Sequence, residues 1–250
     1  MKTIKIGIVS YLNTLPFVCG IKQWKSADFK IEMVFAYPSR CSELLENNEV
    51  DIALIPTGAL ERFPNHKIIT DYCIGSYKKV ETVLLLSDVP MNEITEIYLD
   101  YQSNTSVKLI QILAKHFWHI TPKMQQTNQG FESKIANTTA GLIIGDRAFD
   151  AQKHHRYSYD LSEEWHRYMQ LPFVFAVWLA KTNIPQSFVA SFNQVLQYGI
   201  EHISECIDTL QDSTLPKSHM LDYLTKKIAY QLDADKQFAI RKFLELSHSL

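Results

Sequence analysis

A chain of 250 residues in which 46% are hydrophobic carries enough nonpolar surface for one large core or for two modest ones. Lys and Arg total 25 against 27 Asp and Glu, and the formal charge of -2 sets up no field that would gather nucleic acid or an anionic membrane surface, which leaves a small molecule as the expected partner. Cys19, Cys41, Cys73 and Cys206 form neither a CxxC pair nor a compact framework, so reduced thiols and a cytoplasmic location are expected.

The opening MKTIKIGIVSYLNTLPF runs from a lysine-broken apolar stretch directly into a strand pattern, without the long apolar region and small-residue cleavage site of a signal peptide. No stretch approaches the roughly 20 apolar residues of a spanning helix. Ile4 to Val9 reads as a strand, followed by a polar loop at Ser10-Tyr11, with Asn13 at a helix N-cap position and Pro16 in the first turn. Phe29 to Tyr37 reads as a second strand, and Ser39 is placed to cap a helix through Cys41 to Asn48. Val50 to Ile55 is nearly all apolar, as in strands buried on both faces of a parallel sheet, and Pro56-Thr57-Gly58 turns into a short helix. Three such βα units indicate an α/β fold.

Val83 to Leu86 is another apolar strand, and the polar break Ser87-Asp88-Val89-Pro90 predicts that the chain leaves the first lobe there. Ile97 to Leu99 reads as a strand, Ser103 to Ser106 as a polar helix start and Val107 to Phe117 as the helix. Ala140 to Ile144 is a buried strand ending at Gly145-Asp146, and Phe173 to Leu179 is a long apolar strand that returns the chain. Beyond Ile184-Pro185 the pattern is helical to the end. The expected organisation is therefore a discontinuous lobe I, residues 1–87 and 175–250, with lobe II, residues 88–174, inserted, and an active-site cleft between them.

Small polar side chains recur where a strand gives way to a helix: Tyr11 and Asn13, Ser39, Thr57, and Ser103, Asn104, Thr105 and Ser106. Free N–H groups and partial positive charge at helix starts, supplemented by hydroxyls, bind carboxylates or phosphates without Lys or Arg, so an anionic organic acid is the implied ligand. Taken one at a time, each of these residues is equally readable as a cap for its own helix. The histidine pairs His116/His119 and His154/His155 lack metal-ligand spacing, and GxSxG, P-loop and GxGxxG motifs do not occur. Asp160 reads as a helix cap and Glu164 as a surface carboxylate.

Together, VSYLNTLPF, EVDIALIP, SNTSVKL, LIIGDRA and YDLSEEWHRYMQLPFVFAVW resemble the chorismate dehydratase family of the futalosine route to menaquinone. The resemblance covers most of residues 4 to 180, and the YLN-x-x-P opening and the YDL-x-x-EW block are its specific parts. It implies a fold similar to type 2 periplasmic binding proteins, with two α/β lobes of mixed sheets joined by two crossover strands. It also implies conversion of chorismate to 3-[(1-carboxyvinyl)oxy]benzoate and water, with no metal or organic cofactor. By this resemblance Asn13 belongs to the YLN motif of the site, Thr82 stands where relatives commonly carry Ser, and Ser103, Thr105 and Ser106 belong to the substrate-carboxylate junction, with Asp146 a further matched position. Asn104 departs from a frequent Arg. Because the matched motifs offer amides and hydroxyls, the substrate's own side-chain carboxylate is the expected proton acceptor. The alternatives are the sister enzyme that forms 1,4-dihydroxy-6-naphthoate, and a non-catalytic binding protein for an organic acid.

Overall fold

The computed structural model describes residues 2–181, 184–211 and 213–250. In chain order its regular elements are β1 (Lys2–Val9), α1 (Leu15–Lys22), β2 (Phe29–Ala36), α2 (Pro38–Glu46), β3 (Ile52–Pro56), β4 (His66–Ser76), β5 (Val83–Ser87), β6 (Glu96–Leu99), α3 (Thr105–Leu113) and β7 (Lys123–Gln126). There follow β8 (Thr139–Ile144), α4 (Ala148–Ala151), β9 (Tyr157–Asp160), α5 (Leu161–Met169), β10 (Phe173–Lys181), α6 (Gln186–Glu201), α7 (Ile203–Asp208), α8 (Lys217–Asp222), β11 (Ala229–Gln231) and α9 (Ala234–Ser247).

The chain divides into two units, Met1–Gly75 with Val174–Asp233 and Ser76–Phe173 with Ala234–Leu250. The first is built on a six-stranded sheet in the order β11-β4-β10-β3-β1-β2. Strand β1 pairs in parallel with β2 and β3, whereas β10 runs antiparallel to β3 with Val177 opposite Ile55. β3 is buried at every position, which is why its sequence shows a continuous apolar run rather than alternation. On one side Leu44, Leu45, Val50, Ala53, Ile55 and Phe63 form a core with Leu179. Elsewhere in the same unit Phe17, Trp178 and Phe192 pack edge to face, with Phe188 stacked on Phe192.

The second unit has a five-stranded sheet in the order β7-β6-β8-β5-β9. Strands β7, β6 and β8 are parallel, and β5 runs antiparallel to both β8 and β9. The two sheets share one wiring, second-first-third, then a strand of reversed direction. Leu84, Leu86, Phe131, Ile135 and Ile143 fill one core. A second core is aromatic: Trp165 and Phe173 meet edge to face at 5.4 Å, and Phe243 of α9 lies 5.2 Å from Phe173.

Two expected boundaries move. Val83 to Leu86, read as the last strand of the first lobe, belongs to the second sheet, because a fully apolar strand announces burial on both faces without saying in which sheet. The helical tail also divides: α9 leaves the first unit after Asp233 and packs against α3 in the second, so the chain passes between the units a third time. Strands β4, β7, β9 and β11 escaped the sequence reading; KMQQ of β7 is polar and largely exposed, and β11 has only three residues.

The capping assignments of Asn13 and Ser39 are corrected as well. Asn13 lies inside a 3₁₀ turn, Leu12–Thr14, and Thr14 stands at the cap position of α1, its hydroxyl donating to the carbonyls of Val9 (2.6 Å) and Tyr11 (2.9 Å). Tyr37 precedes α2 in extended conformation, Pro38 takes the first helical position with φ preset, and Ser39 falls within the first turn. Thr57 opens the short helix expected there, a 3₁₀ helix, Thr57–Arg62.

Candidate functional site

Parallel pairing of β2, β1 and β3 brings the loops that follow their carboxyl ends to one edge of the first sheet. Those loops carry Tyr11 and Asn13, Ser39, and Thr57. Two polar atoms stand out there: the side-chain oxygen Oδ1 of Asn13 and the hydroxyl Oγ1 of Thr57 are both buried without a hydrogen-bond partner. Thr57 as a whole is 0% exposed. A buried oxygen without a partner costs on the order of 1–3 kcal/mol, so each calls for a function that repays its retention. The backbone at Asn13 is held independently, its carbonyl accepting from the hydroxyl of Tyr230 at 3.0 Å. Asn13 thus has a fixed main chain and a side-chain oxygen that no protein donor satisfies.

The second sheet gathers its candidates in the same manner. Val83 lies opposite Ile144 and Leu84 opposite Asp160, so the start of β5 shares an edge with the carboxyl ends of β6, β8 and β9. At that edge lie Thr82, Ser103, Asn104, Thr105, Ser106 and Asp146. Ser103 stands just before Asn104, the cap residue of α3, and its hydroxyl accepts from the backbone N–H of Ser106 at 2.9 Å, while Thr105 and Ser106 are buried in the first turn. Gly145 turns the chain at φ 73, where glycine carries no steric penalty, and its N–H donates to the carbonyl of Thr82 at 2.9 Å. Asp146 follows directly on this turn.

Two buried carboxylates hold the edge together. Asp100, one residue past β6, accepts from the backbone N–H of Ile144 (3.0 Å) and of Gln102 (3.0 Å) and is paired with Arg147, which also bonds Glu132. Burial pushes the Asp100 carboxyl above the ordinary range, against the opposing pull of Arg147 and the two N–H groups. Asp160 ends β9 and caps α5: Oδ1 accepts from Ser162 (3.0 Å) and Glu163 (3.2 Å), and Oδ2 accepts from Val80 (2.9 Å) and Glu81 (2.6 Å). Burial pushes this carboxyl up to about 6 in spite of four N–H donors. Glu164, read from sequence as a surface group, is buried and bonded to the indole N–H of Trp118 (2.7 Å) and to Arg167 (2.7 Å). Its helix is amphipathic, and the polar letter concealed an inward position.

Sequence reasoning missed Asp100 and the second role of Asp160. Their signal was weak but present, since Asp100 directly follows β6 and Asp160 is the last residue of the aromatic β9. Cys19, Cys41, Cys73 and Cys206 are all free thiols. Among the described residues no cluster of three His, Cys, Asp or Glu side chains forms a metal-ligand set, and no helix is long and apolar enough to cross a membrane.

A chorismate dehydratase of Thermus thermophilus is 23% identical over 265 residues, an alignment that spans 98% of this chain and 95% of that protein. Among solved structures, a crystallised protein of Archaeoglobus fulgidus matches with a TM-score of 0.80 at 12% identity, covering 99% of this chain and 97% of its own. A Candida albicans protein described as having the generic periplasmic binding protein fold matches with a TM-score of 0.66 at 16% identity, over 100% of this chain and 91% of its own. The fold is accordingly periplasmic-binding-protein-like, and the two α/β units with mixed sheets agree with it. A family model described as menaquinone biosynthesis matches residues 4–249, nearly the full length, and the chain belongs to that family.

Proposed function

We propose that the protein is a chorismate dehydratase, a carbon-oxygen lyase that converts chorismate to 3-[(1-carboxyvinyl)oxy]benzoate and water on a menaquinone route in the cytoplasm. The observation that carries this reading is the pair of buried, unpartnered oxygens, Asn13 Oδ1 and Thr57 Oγ1, at adjacent strand ends in a member of a menaquinone-biosynthesis family. The named relative from Thermus thermophilus supports the choice of chorismate.

The reaction removes the ring proton from the carbon that bears the enolpyruvyl ether, and hydroxide from its neighbour, to leave an aromatic ring. Aromatisation supplies the driving force. The protein then has to fix the two carboxylates, hold the ring and stabilise developing charge, which oriented amides and hydroxyls do without further ionisable groups. We assign substrate contact to Asn13, Tyr11, Ser39 and Thr57 and to Thr82, Ser103, Asn104, Thr105, Ser106 and Asp146. Asn13 and Thr82 act closest to the reacting carbons, and the substrate's own side-chain carboxylate accepts the proton.

Incubation of purified protein with chorismate, followed by absorbance and mass, is expected to yield the aromatic ether and one water. Asn13→Ala is expected to lower turnover by about two orders of magnitude or more with the fold retained. Binding of chorismate without turnover would support a solute-binding role instead, and wild-type turnover in Asn13→Ala would remove that residue from the site.

A further inference from the structure

Asp160 does more than a helix cap needs. A cap is satisfied by one oxygen, and Ser serves as well as Asp. Here Oδ1 alone caps α5, through Ser162 and Glu163. The other oxygen reaches Val80 and Glu81, about 80 positions earlier in the chain, and takes both backbone N–H groups at 2.9 and 2.6 Å. The carboxylate is 3% exposed, so neither bond competes with bulk water.

The segment it grips is strained. Glu81 has φ 67, the left-handed region, which costs a residue with a Cβ roughly 1–2 kcal/mol. Such a conformation persists only where its surroundings over-determine it, and it is enriched at functional sites. Thr82 is the next residue. Its carbonyl is held by the N–H of Gly145 at 2.9 Å, so its backbone is fixed on one side by the turn after β8 and on the other by Asp160.

We propose that Asp160 is a positioning residue: its Oδ2 holds Val80 and Glu81 in the left-handed turn that sets Thr82 at the strand-end edge where substrate is handled. This rests on the reading of Thr82 as a substrate contact. Capping and positioning use different oxygens, and that makes them separable.

The variant Asp160→Ser keeps a cap oxygen for α5 and deletes the arm to Val80 and Glu81. Its amide hydrogen exchange at those two positions is expected to rise at least about tenfold while α5 stays protected, and its kcat for chorismate to fall by about ten- to a hundredfold, with KM within about threefold. Adding Glu81→Gly, which enters the left-handed region without strain, is expected to restore part of the lost kcat. Unchanged exchange and wild-type kcat in Asp160→Ser overturn the proposal, as does a double variant no more active than the single one. Should Asp160→Ser fail to fold, exchange in the wild-type protein decides: protection of Val80 and Glu81 equal to that of β5 supports the proposal, and loop-like exchange overturns it. If wild-type protein does not turn over chorismate at all, the functional reading falls, while the exchange data still judge the role of Asp160.

Discussion

Helices α1 and α6 cross at two glycines, and the crossing gives a quantitative expectation. A Cβ placed on Gly199 would lie 1.8 Å from the carbonyl oxygen of Pro16, and one on Gly20 would lie 1.8 Å from that of Val195. Both obstacles are backbone, so no side chain can turn aside. In Gly199→Ala the two helices have to part by roughly 1.2 Å before the new methyl reaches even a 3.0 Å contact. Overpacking of this kind costs about 1–3 kcal/mol, toward the upper end where backbone meets backbone, and the gain in helix propensity returns up to about 1 kcal/mol. A net loss of about 2 kcal/mol is expected, seen as a melting temperature lowered by about 4–8 °C. Because a single residue separates Asn13 from α1, the displacement also moves this proposed substrate contact, and chorismate turnover is expected to drop by about tenfold or more. Scanning calorimetry and steady-state kinetics on the same preparation test both halves. A Gly199→Ala protein as stable as wild type or more so would refute the packing argument, because propensity alone would then have decided the outcome.

Thr57→Val removes a buried hydroxyl without a protein partner, so stability is expected to hold or rise by about 1 kcal/mol while turnover falls; urea melts that show lost stability with full turnover would make the hydroxyl structural. For Asp160, between its ordinary value of 3.8 and its folded value of about 6 the native protein holds a proton that the unfolded chain has released. This group's contribution to stability therefore grows as pH falls and is lost as pH rises through about 6, by up to about 3 kcal/mol. Turnover is expected to move the opposite way, declining below about pH 6 as the proton weakens the hold on Val80 and Glu81; a rate profile flat between about pH 5 and 8 would contradict this. Phe243→Ala, which empties the space beside Trp165 and Phe173, is expected to cost about 3–5 kcal/mol by denaturant melts, and a loss below about 1 kcal/mol would show that α9 is not part of that core.

The fold class was legible because its strongest strands, Ile52–Pro56 and Val83–Ser87, are written as uninterrupted apolar runs and are separated by helix signals at the spacing of α/β proteins. What such runs omit is the identity of the partner strand. Val83–Ser87 pairs with β8 and β9, both later in the chain, and nothing local distinguishes that from pairing with earlier strands. The same limit applied to Phe243: its segment reads as helical, but the aromatic ring it meets lies about 70 residues upstream. At the candidate site the hydroxyl and amide positions, apart from Thr82, which only the family resemblance marks, could be read off strand-helix junctions, since each is a local pattern. Their supports could not. Asp100 reaches Ile144 and Arg147, and Asp160 reaches Val80, across separations that sequence does not encode locally. Asn13 was misread as a cap because the 3₁₀ turn Leu12–Thr14 shifts the helix start by one residue, to a cap at Thr14.

The third passage of the chain, at Asp233, bears on how the protein is made. Translation proceeds at about 5–20 residues per second, so Phe173 waits on the order of several seconds before Phe243 leaves the ribosome to cover it. During that interval the nascent second unit presents Trp165 and Phe173 uncovered, a sticky surface of the type chaperones survey. A message cut short just after Asp233 would encode every residue of the first unit and still release a polypeptide with that surface permanently bare.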